Sequence, residues 1–524
     1  MLISNLNKMV SIKKILLPLL LIVLVIPQLK SQTIEWEKNF GGSDNDYLFF
    51  NQQTDDGGFI AVGSTESTDG DISENAGFMD YWIIKINQNG EMEWEKNLGG
   101  TDSESARYVE QTSDGGYILC GNSKSNDGDV GGNNGDSDYW VVKLDEDGEI
   151  MWEKNYGGSS NDFAWSIKQT TDEGYIVSGY SGSSDGDVSG NNGSTDYWIL
   201  KLDVDGEIVW DKNLGGSSNE TARYIQQSED GGFVVAGFSR SNDGDVGGNN
   251  GGFDYWIVKL NSDGEIMWEK SLGGSNDEIG WSVEELITGG YIVCGYSNSN
   301  DGDVGGNNGG SDYWIVGLGS DGEILWEKNY GGSNNEFTNS LQQTIDGGYI
   351  IGGNSGSLNS GDVGGNNGGS DYWIVKVNQT GEILWEKNLG GTGTEGLWWV
   401  QQTIDEGYII AGFSESNDGD VGGNNGMADY WIVKLAPLTS STTTLANDKG
   451  GISIQPNPNK GIFFIESNIL GSSFEVEIYN SSGKIVYTQS GNSKQLNLQG
   501  ISKGIYTLAV VCDSVTYSKL LLLQ

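Results

Sequence analysis

Between residues 33 and 435 the chain is a succession of short runs in which apolar and polar residues alternate, each run closed by glycine, aspartate or asparagine. One stretch shows the plan. "IMWEKNY" alternates and carries aromatics, "FAWSIKQT" follows after "GGSSND", "YIVSGY" follows the turn "TDEG", and "DYWILKL" follows a long polar loop. "DVDGE" then turns the chain back into "IVW". Period-two runs rich in β-branched and aromatic residues, bounded by Asp-Gly and Gly-Gly, predict strands joined by hairpins. No segment of useful length has a helical period.

The four-strand unit repeats. Trp36, Trp94, Trp152, Trp210, Trp268, Trp326 and Trp385 form one series, and "DYW" begins at Asp80, Asp138, Asp196, Asp254, Asp312, Asp371 and Asp429. Seven copies of four short antiparallel strands predict an all-β fold, a seven-bladed β-propeller. The ends of the array support a ring over an open stack. It starts with "TIEWEKNF", a strand lacking its preceding partner, and ends with "DYWIVKL", a strand lacking its following one. Pairing them closes the last blade and removes two exposed edges. Through "DGGYI..G" and "D.W..K.D..G...W" the array over 33–435 resembles the bacterial β-propeller repeats of secreted surface proteins, a resemblance that implies the fold rather than an activity.

The two ends of the chain read differently. Lysines 8, 13 and 14 precede an apolar run from Ile15 to Ile26, too short to span a bilayer but suited to a secretory signal, so residues 1–32 are expected to be removed near Gln32. No other segment could be transmembrane. After Leu435 a Ser/Thr-rich linker (436–451) leads to about 70 residues of β alternation (452–524), the pattern of a small Ig-like β-sandwich. Pro456-Asn457-Pro458 with Gly461, "VEIYNSSGKIV" around Gly483, "LNLQGISKGIYTL" with Gly504 and Tyr506, and Lys519 occur in order. This segment resembles the C-terminal sorting domain of the type IX secretion system of Bacteroidota. The resemblance implies export across both membranes, the type IX machinery as a partner, and release or attachment at the cell surface.

Composition narrows the function. Acidic residues outnumber basic ones 74 to 28, a formal charge of −46 that repels nucleic acid. The chain has no histidine, which removes His-based triads and His-ligated metals. Its three cysteines, Cys120, Cys294 and Cys512, suit buried thiols better than a disulfide framework.

Two sets of residues are candidates for function. The loop "DGDVGGNNG" recurs, and counted from Asp127 it places acids at positions one, three and twelve (Asp127, Asp129, Asp138) with Gly132 at six, part of a calcium-loop pattern. The equivalent acids are Asp185, Asp187 and Asp196; Asp243, Asp245 and Asp254; Asp301, Asp303 and Asp312; and Asp418, Asp420 and Asp429. The same residues are good turn formers, their side chains capping backbone N–H groups, so metal site and structural turn both stay open. The second set lies thirteen residues after each Trp, where the repeats disagree: Phe49, Arg107, Trp165, Arg223, Trp281, Asn339 and Trp398, the last followed by Trp399. Large aromatics and arginines varied on a constant scaffold suit a ligand surface, and packing between blades is the alternative. No acid–base pair stands apart from the repeat, so the expectation is a non-enzymatic binding or adhesion protein taking an extracellular glycan or protein, with calcium as the one candidate cofactor. A polysaccharide hydrolase or lyase working through loop-face carboxylates and a passive envelope component are the alternatives.

Overall fold

The computed structural model describes residues 32–437, and in the C-terminal segment 452–455, 462–467, 474–479, 485–491, 494–498, 504–512 and 515–523. Residues 1–31 of the expected signal peptide and 438–451 of the expected linker therefore fall outside the described residues, as do Pro456, Asn457, Pro458, Gly461 and Gly483.

The described residues of the array form seven antiparallel four-stranded sheets and no helix. In the first sheet Asp46–Gln53 is innermost, followed outwards by Phe59–Thr65, Asp80–Ile86 and Met92–Leu98. The other blades repeat this order, and each innermost strand neighbours the innermost strands of the blades on either side, the seventh returning to the first. Closure follows the expected scheme. Ile34–Phe40 is the outermost strand of the last blade and pairs antiparallel with Asp429–Leu435, from Ile34↔Leu435 to Phe40↔Tyr430. One further bond, from the Ala436 N–H to the Thr33 carbonyl, extends the seam.

The two middle strands of each blade are buried along nearly their whole length, which explains their apolar runs. The "DYW" motif serves the joints between blades. Its tryptophans are fully buried, and each indole N–H donates to an acid of the "WEKN" strand, as from Trp140 to Glu153 at 2.9 Å. Each tyrosine hydroxyl donates to the carbonyl of the corresponding Trp one blade on, from Tyr81 to Trp140 (3.0 Å) through to Tyr430 and Trp82 (2.9 Å). The latch is thus continuous around the ring.

A second repeated contact explains a gap. Buried Lys85, Lys143, Lys201, Lys259, Lys376 and Lys434 each pair with the aspartate of their blade's "DGG" or "DEG" turn: Asp56, Asp114, Asp172, Asp230, Asp346 and Asp405. In the fifth blade the lysine position is Gly317 and the aspartate position is Thr288. Both partners are missing together, because either charge alone would be left without its counter-ion. The "WEKN" lysines neutralise acids too, Lys96 pairing with Glu149 at 2.6 Å on the following blade.

In the C-terminal segment two sheets, one of three strands and one of four, share a core of Ile465, Val476, Leu496 and Leu508 among others. The alternation predicts strands in this segment, and the described residues form them. Gly504 and Tyr506 lie on the strand Gly504–Cys512, and Lys519 on Val515–Leu523. Cys120 and Cys294 are buried free thiols.

Candidate binding site in the axial channel

The long loops and the entries to the innermost strands lie on one face, the tight "DGG" and "DGE" turns on the other. On the loop face the repeated acids do not assemble as a linear loop count would group them. Asp127 accepts the Thr101 N–H (2.8 Å) and Asp129 the Gly99 N–H (3.2 Å), so both hold the Gly-Gly segment leading into their own blade. Asp138 reaches back to its own loop and accepts the Asn134 N–H at 2.6 Å. The pattern recurs at Asp185, Asp187 and Asp196, at Asp243, Asp245 and Asp254, at Asp301, Asp303 and Asp312, and at Asp418, Asp420 and Asp429. The glycine between the two loop acids has positive φ (Gly128, +68°), and a Cβ there would stand 2.3 Å from the Gly99 carbonyl oxygen. Among the described residues no three acids converge as metal ligands would.

The structure does bring acids together in pairs across blades. Each "DYW" aspartate is fully buried beside the fully buried acid that begins the next innermost strand. A Cβ on Gly99 would lie 2.3 Å from Asp80 Oδ1 and 2.7 Å from Glu104 Oε2; on Gly273 it would lie 2.6 Å from Asp254 Oδ1 and 2.5 Å from Glu278 Oε2. The glycine is therefore required, since any side chain would displace both carboxylates. The inner acids are better bonded, Asp162 Oδ1 excepted: Glu104 accepts from Gly100, Ser123, Lys124 and Ser125. The "DYW" aspartates are not, and Oδ1 of all seven has no hydrogen-bond partner. Burial raises them, helped by the neighbouring carboxylates: Asp80 to about 6 and Asp254 to about 7.

The variable residues converge on the axis. In every innermost strand the register slips by one at the variable position, between Leu48 and Phe50 in the first blade and between Leu397 and Trp399 in the last. Such a bulge puts two successive side chains on the same side of the strand. Phe49, Arg107, Trp165, Arg223, Trp281, Asn339 and Trp398 therefore line one cavity, open on one side and enclosing about 40 Å³, room for a small group. The space between blades is instead filled by residues of the middle strands, among them Tyr139, Ile199 and Trp256. The rings lining the cavity meet edge to face: Trp165 and Trp281 at 5.9 Å, Trp281 and Trp398 at 5.6 Å, Phe49 and Trp398 at 5.1 Å.

Beneath them, towards the turn face, Phe50, Tyr108, Tyr224 and Trp399 form a plug, with Phe50 centred 3.8 Å from Tyr108 and 4.4 Å from Trp399. Trp398 and Trp399, adjacent in sequence, thus belong to different layers. Below the plug a second cavity is lined by a ring that sequence reasoning missed: Gln52, Lys168, Gln226, Glu284, Gln342 and Gln401, with Glu110 paired to Lys168 at 3.3 Å. The ring also bonds blade to blade, as Gln52 Oε1 accepts the Gln111 N–H at 2.7 Å. Its signal was available, since sixteen residues after each Trp three blades carry a charge where four carry glutamine.

Residues 453–524 match the family described as the secretion system C-terminal sorting domain. Regulatory protein FlaEY of Caulobacter vibrioides is 25% identical over 222 residues, 39% of this chain and 23% of its own length. Among solved structures, a fungal alcohol oxidase of the AA5 family in complex with copper aligns over 94% of this chain and 100% of its own at 12% identity and TM-score 0.45. PorZ, a bacterial surface component of the type IX secretion system of Porphyromonas gingivalis, aligns over 93% of this chain and 60% of its own at 10% identity and TM-score 0.38.

Proposed function

For this β-propeller, exported to the cell surface or beyond on a type IX sorting domain, we propose a binding role in which an extracellular ligand enters the axial cavity from the loop face. One observation carries the reading. The scaffold repeats seven times, yet at one bulge per blade the residue changes freely among Phe, Arg, Trp and Asn, and all seven side chains line the same cavity. A purely structural channel would have no need of three tryptophans and two arginines there. The absence of catalysis is part of the proposal. The loop-face acids are seven copies of one buried arrangement, held by backbone N–H groups, and no pair of them stands apart as a general acid and base would.

The test is a screen of the full-length protein on immobilised glycans and extracellular proteins, repeated with Trp281→Ala and Trp398→Ala. Binding that drops by roughly tenfold or more in either variant supports the axial site, given about 2 kcal/mol or more for truncating an aromatic that anchors binding. Ligand capture that survives both substitutions sinks it.

A further inference from the structure

The chain has three arginines, and two of them, Arg107 and Arg223, face the same cavity. Their guanidinium carbons lie 4.8 and 3.7 Å from the ring centre of Trp165, and Arg223 is also 4.2 Å from that of Trp281, while Arg107 is 3.8 Å from that of Phe49. In a protein of charge −46, neither has an acid: none of the ion pairs among the described residues includes them. Arg107 Nε, Arg223 Nε and Nη1, and the indole N–H groups of Trp165 and Trp281 have no hydrogen-bond partner. Burial lowers Arg107 to about 10 and Arg223 to about 9, the latter also through the like charge of Arg107. Unpaired buried donors are costly, and two neighbouring cations without an anion more so.

We propose that this cavity binds the oxyanion group, carboxylate or sulfate, of an acidic saccharide, with Arg107 and Arg223 as its counter-charges and the Trp165 and Trp281 indoles as further donors. The proposal rests on the axial binding role above and adds the ligand's chemistry. Guanidinium groups present planar donor forks matched to such oxyanions, and while the arginines cover faces of Phe49, Trp165 and Trp281, the Trp398 ring at the same cavity suits the C–H face of a sugar ring. A saccharide also fits this wall better than an acidic peptide does. The wall supplies mainly donors and π faces, with Asn339 as its one amide, and that amide already donates to the Leu397 carbonyl at 2.8 Å. Sugar hydroxyls can turn to accept, whereas backbone N–H groups of a peptide would lack acceptors.

The full-length protein is titrated by calorimetry and tryptophan fluorescence with sodium sulfate, galacturonate oligosaccharides, their neutral galactose counterparts and oligo-glutamate. Sulfate and the acidic oligosaccharide are expected to bind, the neutral one far more weakly. Arg223→Gln should lose roughly ten- to a hundredfold in affinity for both anions, as for loss of one charge-assisted hydrogen bond. Arg107→Gln provides a second variant, and equal melting temperatures show that each is folded. Acidic oligosaccharide binding indifferent to both substitutions overturns the proposal, as does no response to any anion. Oligo-glutamate binding with the same arginine dependence, where the oligosaccharide fails, overturns the saccharide assignment. Neutral oligosaccharide binding that needs Trp281 but neither arginine would overturn the oxyanion site while leaving the axial binding role standing.

Discussion

Asp254 is the sharpest place to test how the buried carboxylates shape stability. It is fully buried, its Oδ1 is unpaired, and it is raised from 3.8 to about 7. A carboxyl raised on folding binds its proton more tightly in the native state, so the protein is favoured at low pH and loses stability as pH climbs from about 4 to 7. At 1.36 kcal/mol per pH unit, ionising Asp254 in place costs on the order of 4 kcal/mol. Asp254→Asn removes the charge, keeps an oxygen for the Asn250 N–H (2.7 Å in the parent) and turns an amide towards Glu278. With an unfolding entropy of about 2.1 cal/mol/K per residue over roughly 400 residues, relief of that strain raises the melting temperature at pH 8 by about 5 °C. At pH 4.5, where the parent carboxyl is already protonated, the two proteins should melt within about 1 °C of each other, since neither carries the charge. Scanning calorimetry of both proteins at the two pH values, with chelator present, measures the difference. A variant that melts below the parent at pH 8 would refute the reasoning, because it would show that the ionised form of Asp254 is favoured by its surroundings.

Other expectations follow from the same contacts. On the acid side the turn aspartates act with opposite sign: although burial alone would raise Asp56, bonds from Lys85 and Thr54 hold it at about 2, so its stabilisation is present above pH 4 and fades as pH falls towards 2. A plot of melting temperature against pH should therefore peak near about pH 4; a maximum at pH 8 would contradict the raised aspartates, and a melting temperature still climbing as pH falls below 3 would contradict Asp56. Asp114→Asn alone should destabilise by roughly 1–3 kcal/mol, and adding Lys143→Met should recover most of that loss, reproducing the fifth blade; a double variant worse than the single would disprove the pairing argument. Glu173 and Glu406 hold positive φ (67° and 68°) where other blades have glycine, so Glu173→Gly should raise stability by about 1 kcal/mol in urea denaturation. If the long loops act only as turns, chelator leaves the pH 7 melting curve unchanged; a fall of several degrees restored by calcium would assign them a metal.

Much of this architecture can be read from the sequence because the period is strict. Two tryptophan series fix the number of blades, and the unmatched strands at Ile34 and Leu435 identify the closure. The channel ring is visible as the column in which Arg107, Trp165 and Trp281 differ. What the sequence hides is how columns meet across blades. A loop count groups Asp129 with Asp138, whereas in the fold Asp129 grips Gly99 beside the buried pair Asp80 and Glu104 of the blade junction. Nor does strand alternation anticipate the bulge, since a period of two places Phe49 and Phe50 on opposite sides. The plug and the deeper ring around Lys168 both depend on that one-residue slip.

The closing seam also gives the molecule a direction. Thr33 and Ala436 are bonded to each other at the end of the last blade where the tight turns lie, so the chain enters and leaves the propeller at one point on the face opposite the long loops. Both ends of the ring thus open on the turn face, opposite the mouth of the channel that the long loops surround. Because the seam ends at Ala436, the ring is complete without any residue that follows it.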